Sequence, residues 1–245
     1  MTAIGILGAA GRMGRAIAEA AREAGVTVVG GIDRRHGAGE LAALAAASDV
    51  LIDFSVPDAL AAHVDAAVAA RTPILVGTTG LAGDHHATID RAALSIALIQ
   101  AANTSLGVTL LARLVREAAS RLSEDWDIEI VEMHHRHKRD APSGTALLLG
   151  ASASAGRGAA TGALDRLDRG TGGAREPGTI HYASLRGGSV PGDHQVIFAT
   201  EGERVELGHR AESRGIFATG AIRAALWLAG GRPPGRYTMD DVLAA

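Results

Sequence analysis

The 245-residue chain carries 27 acidic against 24 basic side chains, a net charge of -3, so no overall basic field is present to hold nucleic acid, and aromatics at 3% give few stacking platforms for single strands. Cysteine is absent, which excludes disulfides and thiolate metal sites, while 47% hydrophobic and 21% charged residues fit a folded globular protein. No uncharged apolar run reaches the about 18 residues of a membrane span, because the Ala-rich stretch from Ala59 carries His63 and Asp65 and the last helix carries Arg223; with no signal-peptide pattern at the N-terminus, the cytoplasm is the expected location.

The first half alternates short β-type runs with Ala-rich helical stretches, the pattern of βαβ units on a parallel sheet. Ile4 to Leu7, Val26 to Ile32, Val50 to Phe54, Ile74 to Val76 and Ile96 to Ile99 are predicted strands, and Met13 to Ala24, Ala59 to Ala70 and His85 to Ala93 predicted helices. An amphipathic helix from Leu106 to about Leu122 then leads into an alternating strand, Trp126 to Met133, with Ile128 and Ile130 on one face. A helix from Gly144 to Ala155 follows, then a Gly- and Arg-rich stretch from Gly156 to Gly178 that reads as a mobile loop. Thr179 to Leu185, Gln195 to Ala199 and Val205 to His209 are expected to be three antiparallel strands, the last two joined by a turn at Thr200 to Glu203. The helix from Ile216 to Ala229 returns to the first domain. The expected fold is α/β: a Rossmann-type doubly wound parallel sheet formed by residues 1–104 and 216–245, and a smaller α+β domain, 105–215, with an open mixed sheet whose free face can cover a substrate or pair with another subunit.

Two stretches carry chemistry. Gly8, Gly11 and Gly14 lie between the first strand and the first helix, where glycine lets backbone N–H groups approach a pyrophosphate at the positive helix end. Asp33 ends the second strand about 20 residues later, where an acidic group binds ribose hydroxyls, and Arg34 and Arg35 behind it can pair with a 2'-phosphate. The alternative is a Gly-rich turn with a solvated Asp33. The second stretch runs from Glu132 to Thr145: His134 to Arg139 are six consecutive potential cations, and Pro142 and Ser143 enter a helix whose N-terminal amides at Gly144 and Thr145 suit a carboxylate. Adjacent lysine and arginines oppose a dication, so no metal is expected. A nucleic-acid patch and a solvated basic loop are the remaining alternatives to an anionic-substrate site.

This second stretch resembles the signature of the 4-hydroxy-tetrahydrodipicolinate reductase family, Glu-x-His-His-x-x-Lys-x-Asp-Ala-Pro-Ser-Gly-Thr-Ala, with every fixed position present through Ala146. Further family-like segments follow in order: Gly8 to Gly14, Asp53 to Pro57, Gly77 to Gly80, Ala101 to Ser105 and Arg186 to Gly192. The resemblance implies a homotetrameric enzyme that reduces a small cyclic dicarboxylate imine with NADH or NADPH, in lysine and diaminopimelate biosynthesis. By the same resemblance, His134 is the general acid and Lys138 the second proton donor, while His135, Gly144 and Thr145 bind substrate carboxylate. Gly8, Ala9, Ala10, Gly11, Arg12, Met13, Asp33, Arg34, Gly77, Thr78, Thr79, Ala101, Ala102, Asn103 and Thr104 bind the cofactor. Thr104 stands where some relatives carry phenylalanine, and the segment between Arg35 and Asp49 is short. The competing readings are another two-domain NAD(P)-dependent enzyme, such as an aspartate or diaminopimelate dehydrogenase, and a dinucleotide sensor without turnover.

Overall fold

A computed structural model describes residues 1–167 and 173–245, and the chain divides into two compact units, Met1–Leu106 with Gly215–Ala245, and Gly107–Arg214. Among the described residues no helix is long and apolar enough to cross a membrane.

The first unit is built on a six-stranded parallel sheet, β1 (Ala3–Leu7), β2 (Thr27–Ile32), β3 (Val50–Asp53), β4 (Ile74–Val76), β5 (Ala97–Gln100) and β11 (Gly235–Tyr237), in the order β11-β5-β4-β3-β1-β2. Its inner strands are uninterrupted apolar runs because both faces are covered. Alternate residues divide between two cores: Ile4, Ile6, Val50, Ile52, Leu75 and Ile99 face α1 (Arg12–Glu23), α7 (Gly215–Ala229) and α8 (Met239–Leu243). Leu7, Leu51, Ile74, Val76 and Leu98 face α2 (Ala38–Ala47), α3 (Leu60–Ala70) and α4 (Gly83–Ala93). The period of two along each strand thus clothes the sheet twice. Three elements were not expected: α2 occupies the short segment after Arg35, its first amide at Gly37 held by Glu40 Oε2 at 2.9 Å, and β11 and α8 complete the C-terminus.

The second unit carries α5 (Leu106–Arg121), α6 (Gly144–Gly156) and a mixed sheet of β6 (Asp127–His134), β7 (Asp165–Arg166), β8 (Ile180–Arg186), β9 (Asp193–Thr200) and β10 (Glu203–Arg210), ordered β10-β9-β6-β8-β7. The three later strands are not one antiparallel set, which corrects the expectation. β9 and β10 form the predicted hairpin, but β6 lies between β9 and β8, and β8 runs parallel to β6. Helix α6 lies in the connection from β6 to β8, the kind of crossover that a parallel pairing requires. The core is one-sided: Leu111, Val115, Leu149 and Ala153 of the helices pack on Ile128, Ile130, Ile180, Val196 and Phe198.

The expected mobile loop is tied down on its described flanks. Arg157 donates to the carbonyl oxygens of Trp126 and Gly178, Arg166 pairs with Glu176, and Arg175 pairs with Asp127 and Glu129 of β6 while donating to the Ile128 carbonyl oxygen. Those arginines are structural. Residues 168–172 lie outside the described part.

Candidate active site

The buried face of β6 changes character along its length: Ile128 and Ile130 give way to Glu132 and His134, all on one side of the strand and all buried. A carboxylate in that position needs partners, and strand register supplies them. His134 lies opposite Arg186 on β8, and Glu132 lies opposite Ser184 on β8 and His194 on β9. Glu132 takes both guanidinium N–H groups of Arg186, at 2.8 Å to each oxygen, and its Oε1 accepts the Ser143 amide at 3.3 Å. Its Oε2 lies 2.5 Å from Nδ1 of His134. Burial pushes the Glu132 carboxyl up, but the hydrogen bonds from Arg186, Ser184 and His134 outweigh it and hold the group at about 2.

The same Ser143 starts α6. Its hydroxyl accepts the Ala146 amide at 3.1 Å as an N-cap and meets Nε2 of His194 at 3.0 Å. Strand β6 and the N-terminus of α6 are therefore cross-linked through one serine. His194 stands edge-on to His134 with ring centroids 5.0 Å apart, and burial, together with nearby His134, pushes it down to about 4. It is neutral at ordinary pH and adds no charge against His134. Gly192 closes the other side: a Cβ there would sit 2.9 Å from His134 Nε2, so glycine keeps that nitrogen uncovered.

Around this core the basic stretch divides. Lys138 is largely buried and pairs with Asp140 at 2.8 Å, while Arg136, His137 and Arg139 are exposed to solvent. His135 accepts from Arg214 at 3.2 Å, and partial burial with the adjoining charges of Arg214 and His137 pushes it below the usual histidine range. At Gly144 an added Cβ would meet nothing, so the start of α6 faces open space. Sequence reasoning singled out His134, His135, Lys138, Gly144 and Thr145 but gave no role to Glu132, Arg186 or His194. The period of two, which sets Glu132 on the face of His134, was the available signal.

In the first unit, Gly8 adopts φ +84°, and the amides of Gly8 and Ala9 both donate to the Ile32 carbonyl oxygen, at 2.8 and 3.0 Å. The Gly11 amide donates to Gly8 O. A Cβ at Gly14 would fall 2.4 Å from Gly8 O and 2.6 Å from Ala9 Cα, so α1 can start this close to the loop only with glycine there. The N–H groups of Arg12 and Met13 belong to the first turn of α1, which has no intrahelical acceptors, and Ala10 is exposed beside them. Such a cradle fits a dinucleotide pyrophosphate. Asp33 is occupied by Arg35 rather than Arg34, through Nε at 3.1 Å and NH2 at 2.8 Å, and those bonds drive its carboxyl far below the ordinary value; Arg34 is exposed.

At the Gly77 turn, a Cβ would strike the Phe54 ring at 2.3 Å, and the Thr78 hydroxyl is spent on Asp53 and the Ser55 amide. Only the backbone of Thr78 and the exposed Thr79 remain for a ligand. Thr104 is buried and donates to the Phe217 carbonyl oxygen at 2.7 Å, so its side chain braces α7. Ala101 is buried, Ala102 exposed, and Asn103 Oδ1 accepts the Ser105 amide. Among the described residues no cluster suited to a metal ion is found.

A glycine-loop parallel sheet and a mixed sheet bearing a carboxylate-backed histidine define a two-domain oxidoreductase of the Rossmann class. Residues 2–104 match the family model described as dihydrodipicolinate reductase, N-terminus, and residues 107–243 the one described as dihydrodipicolinate reductase, C-terminus. The chain belongs to the dihydrodipicolinate reductase family. A 4-hydroxy-tetrahydrodipicolinate reductase of Zymomonas mobilis is 57% identical over 98% of this chain and 96% of its own, and one of Acidiphilium cryptum 50% identical over 98% and 96%. Among solved structures, a dipicolinate-bound dihydrodipicolinate reductase from Paenisporosarcina sp. TG-14 has TM-score 0.79 at 21% identity over 97% of both chains. A diaminopimelate dehydrogenase of C. glutamicum reaches TM-score 0.59 at 15% identity over 99% of this chain and 95% of its own. At these identities both show the fold alone, so the dehydrogenase alternative shares the architecture and not the family.

Proposed function

We propose that the chain reduces 4-hydroxy-tetrahydrodipicolinate, through its dehydrated cyclic imine, to tetrahydrodipicolinate in lysine and diaminopimelate biosynthesis, with NADH or NADPH as reductant. The observation that carries the residue assignment is the buried Glu132–His134 pair beside the N-terminus of α6, on top of family membership along the whole chain. Bound nicotinamide dinucleotide supplies hydride from its C4. The backbone of Gly8 to Met13 is proposed to hold its pyrophosphate, Asp33 and Arg34 its adenosine ribose, and the Gly77 to Thr79 turn with Ala101 to Thr104 its nicotinamide end.

Hydride addition leaves negative charge on the conjugated ring, and a proton completes the two-electron reduction. His134 is proposed to give that proton from Nε2, the nitrogen that Gly192 leaves uncovered, and positioned acids of this kind are worth about 10²- to 10⁴-fold in rate. Lys138 is proposed to stabilise the developing charge or protonate the ring nitrogen. Its partner Asp140 is well exposed, and such a pair is held weakly enough to exchange for substrate. Gly144 and Thr145 at the helix end, with His135, orient a carboxylate. A homotetramer in the cytoplasm is the proposed working state; exposed Leu185 and Val205 on the mixed sheet support an assembly through that sheet.

The test is oxidation of NADH and of NADPH with the imine generated in place from pyruvate and aspartate semialdehyde. Oxidation that needs every component is expected. None, from folded protein that binds NADH, would turn the reading toward a related dehydrogenase or a sensor.

A further inference from the structure

A histidine that donates a proton has two ring nitrogens, and the reaction needs the transferable proton on the one that faces the substrate. In this chain three residues outside the proposed donor set bear on that choice. Glu132, with no side-chain exposure, lies 2.5 Å from His134 Nδ1. Arg186 clamps both Glu132 oxygens from across the sheet, and itself donates to the Asp140 carbonyl oxygen. Gly192 leaves room in front of His134 Nε2 that any side chain would fill.

We propose that Glu132 and Arg186 are a positioning pair for His134: an ionised Glu132 keeps a proton permanently on Nδ1, so that the proton gained and lost in each turnover is the one on Nε2. The inference rests on the reductase reading for its catalytic meaning, but the tautomer it specifies is a property of the free protein. Arg186 has two tasks. It keeps the buried carboxylate charged by direct hydrogen bonding, and it fixes the carboxylate plane so that Oε2 aims at Nδ1. A bare carboxylate in the same apolar wall would take up a proton or turn away.

The bonding pattern also says what glutamine would do in place of Glu132. Each oxygen receives one guanidinium nitrogen that also has a carbonyl acceptor, NH2 with Asp140 O at Oε1 and NH1 with Leu185 O at Oε2; the difference lies in the other donor, the fixed Ser143 amide at Oε1 and His134, which can change tautomer, at Oε2. The amide oxygen of Glu132→Gln therefore takes the Oε1 place and its NH2 group the Oε2 place. That group donates to Nδ1, which strips Nδ1 of its proton and moves the neutral tautomer to Nε2–H.

Histidine-labelled, full-length protein tests this by two-bond proton–nitrogen correlation spectra, with the His134 signals assigned by their loss in His134→Gln. In the wild type, neutral His134 is expected to carry its proton on Nδ1, and Glu132→Gln to invert it to Nε2. The same Glu132→Gln protein should lose turnover number by about 10²-fold, with the Michaelis constant for the dicarboxylate within about threefold. Gly192→Ala supplies a variant with the dyad intact: turnover should fall while the Nδ1–H tautomer persists. A wild-type His134 with its proton on Nε2, or an unchanged turnover number in Glu132→Gln, would overturn the inference. Wild-type protein with the Nδ1–H tautomer but no imine reduction would support the pair and refute the reductase reading instead.

Discussion

Each unit of this chain buries a carboxylate beside a histidine, and the two pairs are held in different settings. In the parallel-sheet unit, Asp53 at the end of β3 lies 2.9 Å from His63 Nδ1 and also accepts from Ser55 N, Ser55 Oγ and Thr78 Oγ1. Those donors come from the turns that follow β3 and β4, so Asp53 stitches neighbouring strand ends together. In the mixed-sheet unit, Glu132 is held by a cation from the next strand and by a helix cap, and the other nitrogen of its histidine lies where a Cβ at Gly192 would come within 2.9 Å. A buried acid–histidine pair therefore does not by itself mark a site.

The contrast can be broken from either side. The largest effect is expected at Lys138→Ala and His134→Gln: turnover should fall by about 10²- to 10⁴-fold, while urea unfolding stays near wild type. Lys138→Ala should also raise the substrate Michaelis constant, because a charge partner is lost. Asp53→Asn should behave in the opposite way. It strands donors inside the sheet and should cost about 2 to 4 kcal/mol in urea unfolding, with turnover at saturating cofactor close to wild type. A stable Asp53→Asn protein with lost turnover would undo the comparison.

A pH effect sharpens it further. His194, pushed down to about 4 from 6.5, is neutral in the folded state where the unfolded chain already takes up a proton. Stability from this residue is complete above pH 6.5 and is lost as pH falls toward 4. The slope of unfolding free energy over that window should be smaller in His194→Gln than in the wild type; equal slopes would show that another group carries it. The smallest effect belongs to the exposed Arg34: Arg34→Ala should raise the Michaelis constant for NADPH more than for NADH, by the equivalent of about 1 kcal/mol or less. Equal changes for both cofactors would remove Arg34 from phosphate recognition and leave Arg35, already engaged with Asp33, as the cation to vary.

Much of this was legible in the residues. Strands such as Val50–Asp53 and Ile74–Val76 announce themselves as short apolar runs between Ala-rich helices, and the Glu132 to Thr145 stretch carries the family signature. Helix α2 escaped notice because its Ala-rich run has little periodicity, and β11 because three residues after Pro-Pro make a weak strand signal. The place of β8 beside β6 is a long-range pairing, which no local pattern encodes. For the same reason Arg186 and His194 could not be assigned to His134: they reach it through register, from 52 and 60 positions further along the chain. Asp33 directly follows β2, as the spacing from the glycine loop predicts, but its capture by Arg35 depends on a side-chain fork that spacing does not reveal.

The most direct test of the whole account is to follow the label from [4,4-²H₂]NADH during reduction of the enzymatically generated imine, using mass spectrometry of the product. Tetrahydrodipicolinate carrying one deuterium is the expected result, formed by the wild type and greatly slowed in His134→Gln. Product without deuterium, or deuterated product formed as fast by His134→Gln, would contradict hydride transfer from nicotinamide in the first case and proton donation by His134 in the second.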